Sequence, residues 1–262
     1  MCVLGSGPVD CSSPSRAVSL SDDTVHVWCA DLDSAASGLN HPSTSLSKEE
    51  RTRAVRFHFA TDRDRFVVAR GILRAILARY VNTTATRLRI RQGISGKPFL
   101  VDHRHLRFNV SHTSSTMLVA VTREREVGVD IERLDHNIAI EELAEATLSM
   151  GERRVLDGLD GKPRRTAFLT FWTRKEALVK ADGRGFSLGL CDVDVSDPAG
   201  HVTLRDEMMR PWSRRTRWLL QMPAVGKGHV AAVAAEGHDW HIVHRRWPGD
   251  LCGHSTESHG DG

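Results

Sequence analysis

The chain has 262 residues, 40% hydrophobic and 26% charged, an ordinary composition for one large globular domain or two small lobes. The formal net charge of +3 excludes a polyanion binder defined by overall charge, and no apolar run reaches the ~18 residues of a membrane helix. Five cysteines (Cys2, Cys11, Cys29, Cys191 and Cys252) are far apart and form no C-x-x-C, which argues against a disulfide framework or zinc knuckle and for reduced cytoplasmic thiols.

The first residues, MCVLGSGPVDCSSPSRAVSLSDD, lack the basic and apolar regions of a signal peptide, and a disordered Ser/Pro/Gly-rich extension is expected over 1–22. TVHVWC, 24–29, reads as a strand. SLSKEERTRAVRF opens with a capping box, Ser47 with Glu50 three residues on, and predicts a helix. DRDRFVVARGILRAILARY predicts a longer helix with Phe66, Ala69, Leu73 and Ile76 on its apolar stripe. Seven arginines and two acids lie between Arg51 and Arg74, a density suited to phosphate, an acidic partner or nucleic acid. Short strands are expected near 87–91, 106–111, 116–122 and 126–132, with GISGKPF a loop between the first two. Two helices, roughly 138–148 and 164–181, precede strands near 192–196, 216–221, 229–235 and 239–245. A helices-then-strands order that occurs twice predicts an α+β protein of two similar lobes, 23–125 and 126–248, joined near 122–126, with a disordered tail over 249–262.

Three stretches carry candidate chemistry. In VGVDIERL, 127–134, strand alternation puts Val127, Val129 and Ile131 on one face and Gly128, Asp130 and Glu132 on the other. Two carboxylates on one strand face repel unless a cation lies between them. The pair reads either as a solvated strand face or as a site for a hard divalent cation, with Gly128 leaving room beside it. In FWTRKEALVKADGRGF, 171–186, Glu176 and Lys180 share a helix face with Trp172, and Phe171 and Leu178 suit the core. Taken alone, this pattern favours a surface ion pair. Its glycines follow the helix, so a phosphate loop is excluded by order and Gly183 reads as a C-cap. In FNVSHTSS, 108–115, Ser111, His112 and Thr113 line a loop able to meet a phosphate or base, or His112 is an ordinary turn histidine. His238, His241 and His244 lack ligand spacing, and no transition-metal site is assigned to them.

Taken in order, G-K-P, F-N-x-S-H-T, V-G-V-D-I-E and W-T-x-K-E-A-x-x-K with G-x-G resemble the 4'-phosphopantetheinyl transferases of the long, two-lobed (surfactin-synthetase-activating) type, over residues 24 to 236. The resemblance implies two pseudo-symmetric lobes, each a small antiparallel sheet packed with helices, with the active site between them. It implies transfer of the phosphopantetheine arm of coenzyme A to a serine of an apo acyl or peptidyl carrier protein, releasing adenosine 3',5'-bisphosphate. By the same resemblance Asp130, Glu132 and Glu176 hold Mg2+ (or Mn2+), and Glu176 is the candidate base. Lys180 and Lys175 meet phosphate, His112 approaches the 3'-phosphate, Ser111 is a further coenzyme A contact, and Lys97 and Pro98 lie against the adenine. Arg53 and Arg70 fall where cations for coenzyme A are expected, and Glu152 matches a glutamate near the metal. A monomeric, cytoplasmic enzyme with an acidic carrier as partner, and neither nucleic acid nor membrane, is the implied setting.

Two other classes compete. An Arg-rich nucleic-acid module would use 51–74, but no aromatic stacking platform accompanies those arginines. A metal-dependent nucleotide pyrophosphate hydrolase would consume coenzyme A without a carrier protein.

Overall fold

A computed structural model describes residues 17–35, 42–136, 138–183, 189–204 and 218–247. Residues 1–16 of the expected N-terminal extension, the whole expected C-terminal tail, Cys2, Cys11, Cys252 and the G-x-G segment beyond Gly183 lie outside the described residues, whereas within 17–22 Val18 N donates to Arg79 O and Leu20 is buried. The chain divides into two compact units. The smaller takes 28–88 with the chain ends up to 19 and from 245, and the larger takes 20–27 and 89–244. Strand β1 (Thr24–Asp31) runs from the larger into the smaller.

The smaller unit holds a short helix α1 (Leu32–Ala35), α2 (Lys48–Ala54) and α3 (Ala60–Tyr80). The expected capping box is present. Glu50 N donates to Ser47 Oγ at 3.2 Å, and Ser47 N donates to Glu50 Oε2 at 2.9 Å. The same Oε2 accepts from Arg74 Nε at 2.7 Å, and Arg74 Nη1 donates to Ala85 O and Leu88 O. Arg74 is thus a buried clamp that ties α3 to the start of α2 and to the chain that follows it. Ala69, Leu73 and Ile76 are buried as the periodicity predicts. Phe66 departs from the stripe. It is half-buried, with the guanidinium carbons of Arg53 and Arg70 at 5.4 and 5.5 Å from its ring centre.

The larger unit begins with two hairpins. β2 (Ile90–Gln92) pairs antiparallel with β3 (Pro98–Leu100), and β4 (Leu106–Thr113) with β5 (Thr116–Arg123). β6 (Val127–Arg133) leads to helices α4 (Ile140–Thr147), α5 (Met150–Asp157) and α6 (Gly161–Asp182). The short pair β7 (Val193–Asp194) and β8 (Thr203–Leu204) follows, then β9 (Trp218–Gln221), β10 (His229–Glu236) and β11 (His241–Arg246). One sheet has the order β11-β1-β5-β4 and another β6-β10-β9. Small antiparallel sheets packed with helices make the fold α+β, as expected.

Helix α6 lies against β6 and β10, and the sequence shows why it lies so close. In register, Gly128 faces Ala234 and Asp130 faces Ala232, so the side of the sheet that receives the helix carries small side chains. A Cβ on Gly128 would stand 2.0 Å from Ala177 O and 2.4 Å from Ala181 N. Gly128 therefore does not leave room for a cation; its space is filled by the α6 backbone. β6 is accordingly buried on both faces through Ile131, where a half-buried strand was expected. The helix ends at Gly183, φ 77°, whose amide donates to Val179 O at 2.9 Å, the predicted C-cap.

Candidate active site

Packing α6 on Gly128 sets the next inward residue of β6, Asp130, against the side chains that α6 presents one turn apart. Asp130 is 4% exposed. Its Oδ1 accepts from Lys180 Nζ at 2.6 Å and from Ser111 Oγ at 2.9 Å, and Lys180 Nζ is 3.2 Å from Ser111 Oγ. Asp130 Oδ2 and Glu176 Oε1 are buried with no hydrogen-bond partner among the described residues. Glu132, one step along the strand face, meets His136, Nδ1 to Oε2 at 3.3 Å.

The acids feel one another. Burial, then the Asp130 charge, pushes the Glu176 carboxyl up to about 7; Glu132 adds to the rise and Lys180 opposes it. Glu132 is raised as well, first by burial and then by Asp130, with His136 and Lys180 opposing. Glu176 bound to its proton stabilises the metal-free fold below about pH 7, and that contribution is lost as pH rises from the unfolded value near 4.5 through 7. Glu176→Gln is therefore expected to match wild type in thermal stability at pH 4.5, and at pH 8 with chelator to exceed it by about 2 kcal/mol. Melting curves at the two pH values check this; an equal offset at both contradicts it.

The residues present suit a hard divalent cation. Magnesium is usually held by one or two carboxylates, with substrate phosphates and water completing its shell. The hard oxygens of Asp130 and Glu176 that have no donor, with Glu132 beside them, provide such a set. Among the described residues no three His, Cys, Asp or Glu side chains stand as a group that could hold a metal ion by themselves.

Other expected site residues fall differently. Ser111 and His112 belong to strand β4, not to a loop, and alternation sends them to opposite faces. Ser111 is buried on Asp130, and His112 is exposed. Lys97 precedes β3; its ammonium donates to Glu126 Oε2 and Ala181 O, each at 2.6 Å, and Pro98 opens the strand. Arg53 and Arg70 lie in the smaller unit around Phe66, and burial lowers the Arg70 pKa.

Lys175 requires a correction. It is 0% exposed, and its ammonium donates to Glu152 Oε2 at 2.8 Å, Leu190 O at 2.7 Å and Val193 O at 2.5 Å. All three protons are used inside the core, so none is left for a phosphate. Glu152 is fully buried too. It closes a capping box with Ser149 at the start of α5, its Oε2 accepting from Ser149 N, and its Oε1 accepts from Val195 N at 2.8 Å. The pair locks α5, α6 and β7 together.

Sequence reading missed two contributors. Asn109, two residues before Ser111 on the same strand face, accepts from Val129 N at 3.0 Å through Oδ1 and couples β4 to β6. His136 holds Glu132. The alternation N-x-S in FNVSHTSS was a signal for the first.

Comparison with known proteins identifies the family. The profile of the 4'-phosphopantetheinyl transferase superfamily matches residues 126–234, and that of the 4'-phosphopantetheinyl transferase N-terminal domain matches 34–124. The 4'-phosphopantetheinyl transferase HetI of Nostoc is 33% identical over 227 residues, covering 85% of this chain and 92% of that one. The chain belongs to the 4'-phosphopantetheinyl transferase family. The transferase Sfp of Bacillus subtilis is 28% identical over 145 residues, covering 55% of this chain and 63% of that protein. A solved holo-(acyl-carrier-protein) synthase of Bacillus anthracis, in complex with coenzyme A, is 25% identical with a TM-score of 0.33, over 42% of this chain and 94% of that one. This phosphopantetheinyl transferase keeps Asp130, Glu132, Glu176 and Lys180 together in its larger unit, within the span of the superfamily match. Among its described residues no helix is long and apolar enough to cross a membrane.

Proposed function

We propose that this phosphopantetheinyl transferase moves the 4'-phosphopantetheine arm of coenzyme A to a serine of an apo acyl or peptidyl carrier protein, in a magnesium-dependent reaction that releases adenosine 3',5'-bisphosphate. The observation that carries the reading is the buried Asp130–Lys180 pair beside Glu176, with two carboxylate oxygens that have no donor among the described residues.

Asp130, Glu132 and Glu176 would hold the cation, which when bound supplies positive charge to the pyrophosphate oxygens. The serine Oγ forms a bond to the phosphorus that bears pantetheine. The bond from that phosphorus to the bridging oxygen breaks, and its electron pair stays on the adenosine-side phosphate. Glu176, beside Asp130 and Lys180, takes the serine proton. Lys180, held at Asp130 Oδ1, offsets the charge that develops on the leaving phosphate. Ser111 keeps Asp130 and Lys180 in register.

His112 is assigned to the 3'-phosphate of coenzyme A. Its replacement by alanine is expected to raise KM for coenzyme A about tenfold, the scale of one lost charge-assisted hydrogen bond, and to narrow the preference over 3'-dephospho-coenzyme A. Steady-state kinetics with both substrates check this, and an unchanged preference removes His112 from the site. The reaction class is tested by following coenzyme A with and without an apo carrier. Consumption only with carrier supports transfer; equal consumption without it would mean pyrophosphate hydrolysis.

A further inference from the structure

Within the larger unit, Lys97 closes the β2–β3 turn. Gly93 N donates to Lys97 O at 2.9 Å, and Gly96, φ 84°, takes the left-handed conformation that the turn requires. The turn sends the Lys97 side chain to the end of α6. A Cβ on Gly183 would stand 3.3 Å from Lys97 Cδ, so the lysine stem lies across the helix cap. The ammonium donates to Ala181 O and to Glu126 Oε2, each at 2.6 Å, and the side chain is 17% exposed. Ala181 O belongs to the last turn of α6, where carbonyls run out of donors within the helix and a cation also meets the negative end of the dipole. Glu126 is the residue before β6. Its Oε1 lies 3.4 Å from Arg107 Nη1, and its O accepts from Glu236 N at 3.1 Å. Burial pulls the Lys97 pKa down, and the charge of Glu126 opposes this. The glutamate therefore favours the charged ammonium.

We propose that Lys97, held by Glu126, is a positioning residue for the transfer step: it fixes the last turn of α6 and, through it, Lys180. The inference rests on the role given to Lys180 above. Lys180 immediately precedes Ala181, so the carbonyl that Lys97 holds and the side chain that meets Asp130 belong to one turn. Helix ends fray unless something ties them. Two contacts tie this end to β6. Gly128 receives the helix backbone at Ala181 N, and Lys97 joins Ala181 O to Glu126 at the entry of the same strand. Together they set the place from which Lys180 Nζ reaches Asp130 Oδ1. Two of the three Lys97 ammonium protons are spent on this tie. A contact with the adenine of coenzyme A would act on coenzyme A affinity instead. The two roles separate in the kinetics, because a displaced Lys180 slows a step after binding.

The test is a double-mutant cycle in the full-length protein, with Lys97→Met, Lys180→Ala and the two combined. Transfer to an apo acyl carrier protein gives kcat and the coenzyme A KM, and thermal melting reports folding. Lys97→Met is expected to lower kcat by about tenfold to a hundredfold, the scale of a misplacement near 1 Å, with the coenzyme A KM within about twofold of wild type. In the Lys180→Ala background the same change is expected to cost less than about threefold, because the side chain it positions is gone. Glu126→Gln, carried through the same cycle, keeps an acceptor for the ammonium and answers the case in which Lys97→Met does not fold. It is expected to lower kcat by about threefold with Lys180 present and not at all without it. A raised coenzyme A KM with unchanged kcat overturns the proposal in favour of an adenine contact. Equal losses with and without Lys180 overturn it in favour of a tie that serves stability alone. An unchanged kcat in Lys97→Met beside an inactive Lys180→Ala overturns the positioning role and leaves Lys180 in place. A fully active Lys180→Ala, or wild type that modifies no carrier, overturns the role of Lys180 and the tie with it.

Discussion

Asp130→Ala is expected to lower transfer by on the order of 10²–10³-fold while the fold survives. Asp130 is the residue on which Lys180, Ser111 and the charge on Glu176 all converge. Its removal takes one carboxylate from the cation set and frees Lys180 from the position in which it faces the leaving phosphate. Stability should change little, because two effects oppose each other. The ion pair to Lys180 is lost, but that lysine side chain is 29% exposed and regains water, and the repulsion felt by Glu132 and Glu176 is relieved. Asp130→Asn keeps the shape and separates charge from packing, and it should be nearly as inactive. Holo-carrier formation followed by mass, with circular dichroism as the folding control, measures both. Activity within threefold of wild type in Asp130→Ala would contradict the assignment.

Lys175→Met should instead act on the fold. It strands the Glu152 carboxylate in a fully buried place and leaves Leu190 O and Val193 O without their donor. Breaking a buried pair from one side costs about 3–5 kcal/mol. Combining it with Glu152→Gln removes the uncompensated charge but not the two orphaned carbonyls, so roughly half of the loss should return. Chemical denaturation of the single and double variants gives the comparison. A lysine that served phosphate would show the opposite pattern, a raised coenzyme A KM with unchanged stability.

These two lysines also show what could be read in the sequence and what could not. The elements were legible wherever local chemistry is decisive. The Ser47 capping box, the α3 periodicity, the alternation of β4 through β6 and the Gly183 cap each appear where the residues place them. The same S-x-x-E signature at Ser149 and Glu152 announces α5, which lies between the two helices expected at 138–148 and 164–181. At about 100° per residue, Lys175 cannot share the face of Glu176 and Lys180, so the period itself argued against a phosphate contact there. Its burial, however, depends on Leu190, Val193 and Glu152, which only the tertiary fold brings to it. Gly128 was ambiguous for a related reason. A missing side chain leaves room either for an ion or for a helix, and the identity of the neighbour is not local information. The Asp130–Glu132–Glu176–Lys180 cluster was legible because strand and helix spacing fix which side chains share a face. The roles of Ser111 and Asn109 were not, because they lie across a strand-to-strand contact.

The measurement that tests the central claim most directly is the intact mass of an apo carrier after incubation with coenzyme A and the wild-type protein under three conditions: with magnesium, after thorough chelation, and after magnesium is restored. The proposed site predicts a gain of one phosphopantetheine per carrier in the first and third conditions and unmodified carrier in the second. Transfer that persists after chelation would contradict a cation held by Asp130, Glu132 and Glu176.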